Sequence, residues 1–298
     1  MPKNLFVSIV GRPNVGKSSL LNRLLGEKIA IVSDKPQTTR NRITGVLTEG
    51  ETQYVLIDTP GLHKPKSKLG KFMVKQAGDS VSDVDAVILV TEWEGPVTGA
   101  ERELLEGIER CGVPAVLAVN KIDTLAEKTG MLQKISAFAA LFEFAAVVPI
   151  SARTGEGMDE LFHELDPFCT EGEHFFPDDT LTDQPERAVV AEILREKLLR
   201  NLRDEIPHGT AVLIERMRER EDGKMIDIDA TIVCERESHK GIIIGKRGAM
   251  LKKIATEARL DIERFLDIPC NLQCWVKVRE GWRDSDTQLK NFGFREDS

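Results

Sequence analysis

The chain has 298 residues, 41% of them apolar and 30% charged, with a net charge of −8. That length suits two cores rather than one, and the apolar share suits ordinary globular domains. No apolar run approaches the roughly 18 residues of a membrane-spanning helix, and the run at 5–10 stops too abruptly at Gly11-Arg12 for a signal peptide, so the expected location is cytoplasmic.

In the first half, residues 6–10, 53–57, 86–90, 115–119 and 146–150 are short β-branched runs expected as buried strands. Helical patterns lie between and after them at 18–25, 71–82, 100–111, 131–142 and 158–165. Such alternation predicts an α/β domain over 1–168, a mainly parallel sheet with flanking helices. Residues 169–185 are polar, proline-bearing and aperiodic, and are expected as a linker.

The second domain, 186–298, opens on a helix whose core positions are Val189, Ile193, Leu194, Leu198 and Leu202. Asp183 with Glu186 three residues on resembles a capping box, with Pro185 in the first turn. Strands at 211–218 and 225–234 follow, joined around Asp222-Gly223, a strong hairpin signal. A short helix (239–244), a loop from Gly245 to Gly248, a long helix (250–266) and a strand (272–278) complete an α-β-β-α-α-β order. The long helix carries one apolar stripe, Met250, Leu251, Ile254, Ala258, Ile262 and Phe265, expected as core. The five cysteines are odd in number, irregularly spaced and without a CxxC pair, which argues against a disulfide framework or a zinc site.

Gly11-Arg12-Pro13-Asn14-Val15-Gly16-Lys17-Ser18 fits GxxxxGK[ST] in full, between the first strand and the first helix. Backbone N–H groups of such a loop cradle phosphates, Lys17 places its charge on the β/γ-phosphates, and Ser18 offers a hydroxyl to Mg²⁺. Base identity comes from Asn120-Lys121-Ile122-Asp123 after the strand 115–119. The Asp123 carboxylate accepts from the N1 and N2 donors of guanine, a pair that adenine lacks. Asn120 can bridge base and phosphate loop, the Lys121 stem can lie on the ring, and Ser151-Ala152 fits a loop whose Ala152 N–H meets guanine O6.

Asp58-Thr59-Pro60-Gly61 follows the strand ending at 57. Asp58 is placed for the magnesium shell and the Gly61 N–H for sensing the γ-phosphate. In the polar stretch Pro36-Gln37-Thr38-Thr39-Arg40, one threonine is expected to cap Mg²⁺; Thr39 is favoured, with Thr38 beside it. The residues expected to act in hydrolysis are Lys17, Thr39 and Gly61, with GTP as substrate and GDP as product. Leu62 stands where Ras-like GTPases carry the glutamine that orients the attacking water. For Asn14 two readings stand: its amide oxygen helps hold K⁺ beside the phosphates, or it only shapes the loop.

The net charge is unevenly spread. Residues 186–298 hold 22 Lys and Arg against 22 Asp and Glu, which leaves 19 against 27, the whole −8, in residues 1–185. Nucleic-acid contact is therefore expected at a local patch. From Lys240 to Thr256 there are five Lys or Arg and no acidic residue, and Gly245-Lys246-Arg247-Gly248 lies within that span. A GxxG loop between two helices, in this element order, is the clamp by which a KH domain holds about four nucleotides. Lys252 lies just beyond it.

With both motifs in place the chain resembles the Era-type bacterial GTPases, over nearly its whole length. The likeness is carried by 11–18, Gln37-Thr38-Thr39-Arg40, Asp58-Thr59-Pro60-Gly61, Asn120-Lys121-Ile122-Asp123 and Gly245-Lys246-Arg247-Gly248, together with Phe175-Phe176-Pro177, Trp275-Val276-Lys277-Val278 and Gly281-Trp282-Arg283. The resemblance implies a G domain followed by a type II KH domain. It also implies binding of the 16S rRNA 3′ end, assistance to 30S subunit assembly, peripheral association with the inner membrane, and a hydrophobic Leu62 in place of glutamine. A monomer is expected. The competing reading is an RNA-binding adaptor whose nucleotide is structural.

Overall fold

Lys3–Gly11 (β1) is buried at nearly every position, as a strand covered on both faces must be. A computed structural model describes residues 1–35, 37–61, 67–79, 84–125 and 128–294, which form two units. The first contains the described residues of 1–30, 39–64 and 73–183; the second contains those of 31–38, 65–72 and 184–298.

In the first unit β1 is followed by Lys17–Leu25 (α1), Ile43–Glu49 (β2) and Thr52–Asp58 (β3). Lys68–Asp79 (α2) begins among residues of the second unit. Ala86–Glu92 (β4), Gly99–Cys111 (α3), Ala115–Asn120 (β5), Lys128–Ala139 (α4), Ala146–Pro149 (β6), Met158–Leu165 (α5) and Thr170–Glu171 (β7) complete it. The sheet order is β2-β3-β1-β4-β5-β6, parallel from β3 to β6. Both faces are covered: Ile88 and Val90 of β4 pack with Leu20, Leu24 and Leu161, while Val87 and Leu89 pack with Leu104, Ile108 and Phe138.

Two features differ from the sequence expectation. The antiparallel strand β2 pairs with β3 from Ile43–Asp58 to Glu49–Thr52; its Thr and Gly residues mask the alternation. Of the stretch 169–185, expected as a linker, residues up to Asp183 run with the first unit. There β7 pairs with β1, Val46 N–H donates to the Leu181 carbonyl at 2.9 Å, and Gln53 Nε2 donates to the Phe176 carbonyl at 2.9 Å. Backbone groups that sheet edges leave open recruit a polar strap that side-chain periodicity does not reveal.

The second unit is built from Glu186–Asn201 (α6), Ala211–Glu219 (β8), Ile226–Cys234 (β9), Glu237–Ile244 (α7), Ala249–Leu266 (α8), Cys270–Val278 (β10) and Asp286–Asn291 (α9). Its sheet order is β10-β9-β8, with β9 parallel to β10 and antiparallel to β8. Ile193, Leu198, Ile228, Ile232, Ile254 and Ile262 make its core. The cap of α6 is Pro185 with no side-chain hydrogen bond, so Asp183 does not close the expected capping box. The described residues of 31–38 run along α6 within this unit: Val32 N–H donates to Glu196 Oε1 at 3.0 Å, and Arg195 donates to the Thr38 carbonyl.

Candidate nucleotide and RNA sites

β1 ends at Gly11 and α1 begins at Lys17, so residues 11–18 form the turn that the motif requires. Gly16 caps α1 at φ 102° with no side-chain cap, which leaves a helix N-terminus able to take an anion. A Cβ on Gly16 would lie 2.2 Å from Asn120 Nδ2, so the close approach of the two loops needs glycine. Lys17 Nζ donates to the carbonyls of Gly11 at 3.1 Å and Arg12 at 3.0 Å. Burial pushes the Lys17 ammonium down to about 8, against the pull of Asp58.

The three residues expected around magnesium converge. Ser18 Oγ donates to Asp58 Oδ2 at 2.6 Å and lies 2.8 Å from Thr39 Oγ1, which is 3.3 Å from the same carboxylate oxygen. Asp58 is fully buried, and its Oδ1 has no hydrogen-bond partner among the described residues. Burial raises the Asp58 carboxyl above its usual range despite Lys17 and the two hydroxyls. An orphaned carboxylate oxygen beside two hydroxyls is a hard-oxygen donor set that suits Mg²⁺. Thr38 stands apart: its hydroxyl donates to the Lys35 carbonyl at 2.6 Å. Thr59 donates to the Ile9 carbonyl at 3.0 Å and ties this loop to β1. Gly61 lies against Pro13, where a Cβ would come within 2.7 Å of the proline nitrogen. Leu62 falls outside the described residues.

The base-recognition residues also meet. Asn120 Nδ2 donates to the Val15 carbonyl at 2.8 Å, and its Oδ1 accepts from Lys121 N–H at 2.8 Å and Ala152 N–H at 3.0 Å. One side chain therefore joins the phosphate loop to both base-facing loops. The Ala152 N–H, expected to face guanine O6, is here engaged by Asn120. Asp123 Oδ1 accepts from Ser151 Oγ at 2.6 Å, and its Oδ2 pairs with Arg153 at 2.6 Å. The Lys121 ammonium pairs with Glu92.

In the second unit, Gly245 (φ 71°), Arg247 (φ 52°) and Gly248 (φ 79°) turn the chain between α7 and α8. At Gly245 a Cβ would lie 2.7 Å from that of Met250. Lys246, Arg247 and Lys252 are exposed, and α8 starts at Gly248 with no side-chain cap. The loop thus presents two cations and open helix N–H groups to solvent. Ile243 is buried in the core of this unit, while Ile242, three residues before the loop, is 49% exposed.

Residues 6–121 match the family model described as 50S ribosome-binding GTPase, and residues 205–283 match the KH domain. The chain is 50% identical over 296 residues to GTPase Era of Clostridioides difficile (strain 630), covering 99% of this chain and 100% of that protein. It is 48% identical to GTPase Era of Geobacter metallireducens (strain ATCC 53774 / DSM 7210 / GS-15), covering 97% of each. The chain belongs to the Era family of GTPases. Among solved structures, Era in complex with MgGDPNP and nucleotides 1506-1542 of 16S ribosomal RNA superposes with a TM-score of 0.95 at 37% identity, covering 99% of this chain and 100% of that one. A point variant of Aquifex aeolicus Era bound to GDP.AlF4- gives 0.94 at the same identity, covering 99% and 100%. Two residues in this Era-family site escape sequence reading. Arg153 on Asp123 had a visible sign, a cation two residues beyond Ser151; Glu101, which pairs with Arg12 at 3.2 Å, had none.

Proposed function

We propose that this chain binds and hydrolyses GTP at residues 11–18, 58–61, 120–123 and 151–152, and binds the 3′ end of 16S rRNA through the loop 245–248, assisting 30S subunit assembly. The G domain would span 1–168 with the strap to Asp183 packed on it, and the KH domain 186–298. The observation that carries the nucleotide reading is the convergence of Ser18, Thr39 and Asp58 beneath the phosphate loop. Ser18, Thr39 and Asp58 would hold Mg²⁺, which neutralises charge on the β- and γ-phosphates when bound. Lys17 places its ammonium on the same oxygens, the open N–H groups of α1 hold the phosphates, and Asp123 selects guanine. The RNA reading is supported by the complex of the solved Era relative and by the exposed cations of the loop.

For Asn14, exposed and at φ 66°, both readings stand, a K⁺ ligand that offsets Leu62 or a residue that only shapes the loop; equal hydrolysis rates in potassium and sodium would remove the first. Peripheral membrane association rests on family likeness, and vesicle flotation tests it. Among the described residues, no helix is long and apolar enough to cross a membrane. A phosphate-release assay with and without the 3′ segment of small-subunit rRNA tests the central proposal. GTP-specific turnover supports it; nucleotide bound without turnover leaves only the adaptor reading.

A further inference from the structure

Among the described residues of the first unit, Glu101 and Asp58 are the carboxylates with 0% exposure. Glu101 stands at the third position of α3, where a glutamate ordinarily closes a capping box on the surface. Its Oε2 does that, accepting from Thr98 N–H at 2.7 Å and Thr98 Oγ1 at 2.8 Å. Its Oε1 serves other elements: it accepts from Thr91 Oγ1 of β4 at 2.7 Å and faces Arg12 Nε at 3.2 Å and Lys134 Nζ of α4 at 3.6 Å. Burial alone would raise this carboxyl, but the hydrogen bonds from Thr98 and Thr91 and the Lys134 charge outweigh it and hold it below the usual range. Lys134 is itself buried and donates to the Pro96 carbonyl at 3.0 Å, so the carboxylate sits in a fixed frame.

Arg12 is the second residue of the phosphate loop; its buried Nε makes no hydrogen bond among the described residues, and Glu101 Oε1 faces it as an ion-pair partner at 3.2 Å. The Arg12 carbonyl accepts from Lys17 Nζ at 3.0 Å. Helix capping needs only one carboxylate oxygen and no cation from the phosphate loop. The second oxygen, turned inward onto Arg12, is therefore unexplained by capping. We infer that Glu101 is a positioning residue for GTP hydrolysis, anchoring Arg12 and through it the loop carbonyls that set the place of the Lys17 ammonium. This rests on the proposed assignment of 11–18 as the phosphate-binding loop. A displaced Lys17 costs more in the transition state, where phosphate charge shifts, than in ground-state binding.

The test is a double-mutant cycle on the full chain with Glu101→Gln, Arg12→Gln and the pair, reading kcat, KM and Tm. Each single change should lower kcat about tenfold and move KM less than about threefold, since small misplacement at a reacting centre is costly. The pair should be no slower than the slower single variant, because both changes break one link. Thr98→Ala removes the cap and should lower Tm while leaving kcat within about twofold of wild type. Losses that multiply in the pair, or a wild-type kcat in Arg12→Gln, overturn the inference. Should Glu101→Gln not fold, the cycle is run with Glu101→Asp, which keeps the buried charge but withdraws it by one methylene. Lys17→Ala separates the two levels: if it hydrolyses GTP like wild type, the loop assignment fails. If it is inactive while the cycle shows no coupling, only the role of Glu101 falls.

Discussion

Ser18 donates its hydroxyl to Asp58, forty residues away in sequence, at 2.6 Å, and the hydroxyl of Thr39 closes the group at 2.8 Å from Ser18. Two hydroxyls, one from the first turn of α1 and one from the segment before β2, meet at Oδ2 of the buried carboxylate that ends β3, while its Oδ1 has no hydrogen-bond partner among the described residues. Burial raises the Asp58 carboxyl, and the Lys17 charge with the hydrogen bonds from Ser18, Thr39 and Thr59 only partly opposes it.

The geometry separates Thr39 from Thr38. Thr39→Ala removes a group that faces Ser18 and Asp58, whereas Thr38→Ala removes a hydroxyl bound to the Lys35 carbonyl. Thr39→Ala should lower GTP hydrolysis by about 10- to 100-fold and raise the magnesium concentration needed for half-maximal rate, while Thr38→Ala should stay within about twofold. A magnesium titration of the turnover rate decides it. If Thr38→Ala is the slow variant, the capping residue has been misassigned.

Asp123→Asn should shift preference from GTP toward xanthosine triphosphate. The new amide can donate to the oxygen that xanthine carries where guanine has an amino group. Lost base discrimination of about 1–3 kcal/mol corresponds to roughly 5- to 150-fold weaker GTP binding. The amide also gives up the Arg153 ion pair at 2.6 Å, which is exposed on the arginine side and adds little to stability. Competition between the two nucleotides measures the switch, and unchanged GTP affinity would take Asp123 out of the base pocket.

Burial sets a pH dependence through Lys17. Its folded value of about 8 lies below the ordinary 10.5, so between these limits the unfolded chain holds the extra proton. This residue's contribution to stability therefore rises with pH across that window. Nucleotide binding has the opposite sign. Phosphate oxygens favour the ammonium, so above about pH 8 binding must take up a proton, and affinity should fall by up to about tenfold per pH unit. GDP titrations at fixed magnesium, in buffers of differing ionisation enthalpy, report both affinity and proton uptake. Flat affinity with no proton uptake between about pH 7 and pH 9 would contradict the burial-driven shift.

The phosphate loop, the base motif and the GxxG loop were legible because each packs its chemistry into a few contiguous residues flanked by a strand or helix. Glu101 was not legible: its link to Arg12 spans 89 positions and depends on which oxygen turns inward. The antiparallel strand β2 was hidden by Thr44, Gly45 and Thr48, whose places are set by pairing with β3 rather than by apolar alternation. Residues 31–38 look like a simple extension of the polar stretch before Thr39. Their hydrogen bonds to Glu196 and Arg195 join positions more than 150 residues apart. Local pattern reports local chemistry; buried ion pairs and edge pairing are tertiary facts.

Gly248→Asp should abolish binding of the small-subunit rRNA 3′ segment and leave RNA-free GTP hydrolysis unchanged. The substitution is tolerable to the fold. Gly248 has φ 79°, a left-handed conformation that Asp adopts more readily than most residues, and a Cβ there meets nothing within 4 Å. It is also the cap of α8, where a carboxylate can accept from the open N–H groups. Those same gains remove the site: the carboxylate takes the N–H groups offered to phosphate, fills the close approach, and faces the RNA chain beside Lys246 and Arg247. Lys246→Ala and Arg247→Ala should instead weaken binding partially, each lowering the slope of log affinity against log salt by about 1 for a lost phosphate contact. Fluorescence anisotropy over a salt series distinguishes loss of the clamp from loss of single charges. If Gly248→Asp binds as tightly as wild type at the same salt, the loop is not the RNA clamp, and the basic stretch from Lys240 is ordinary solvated surface.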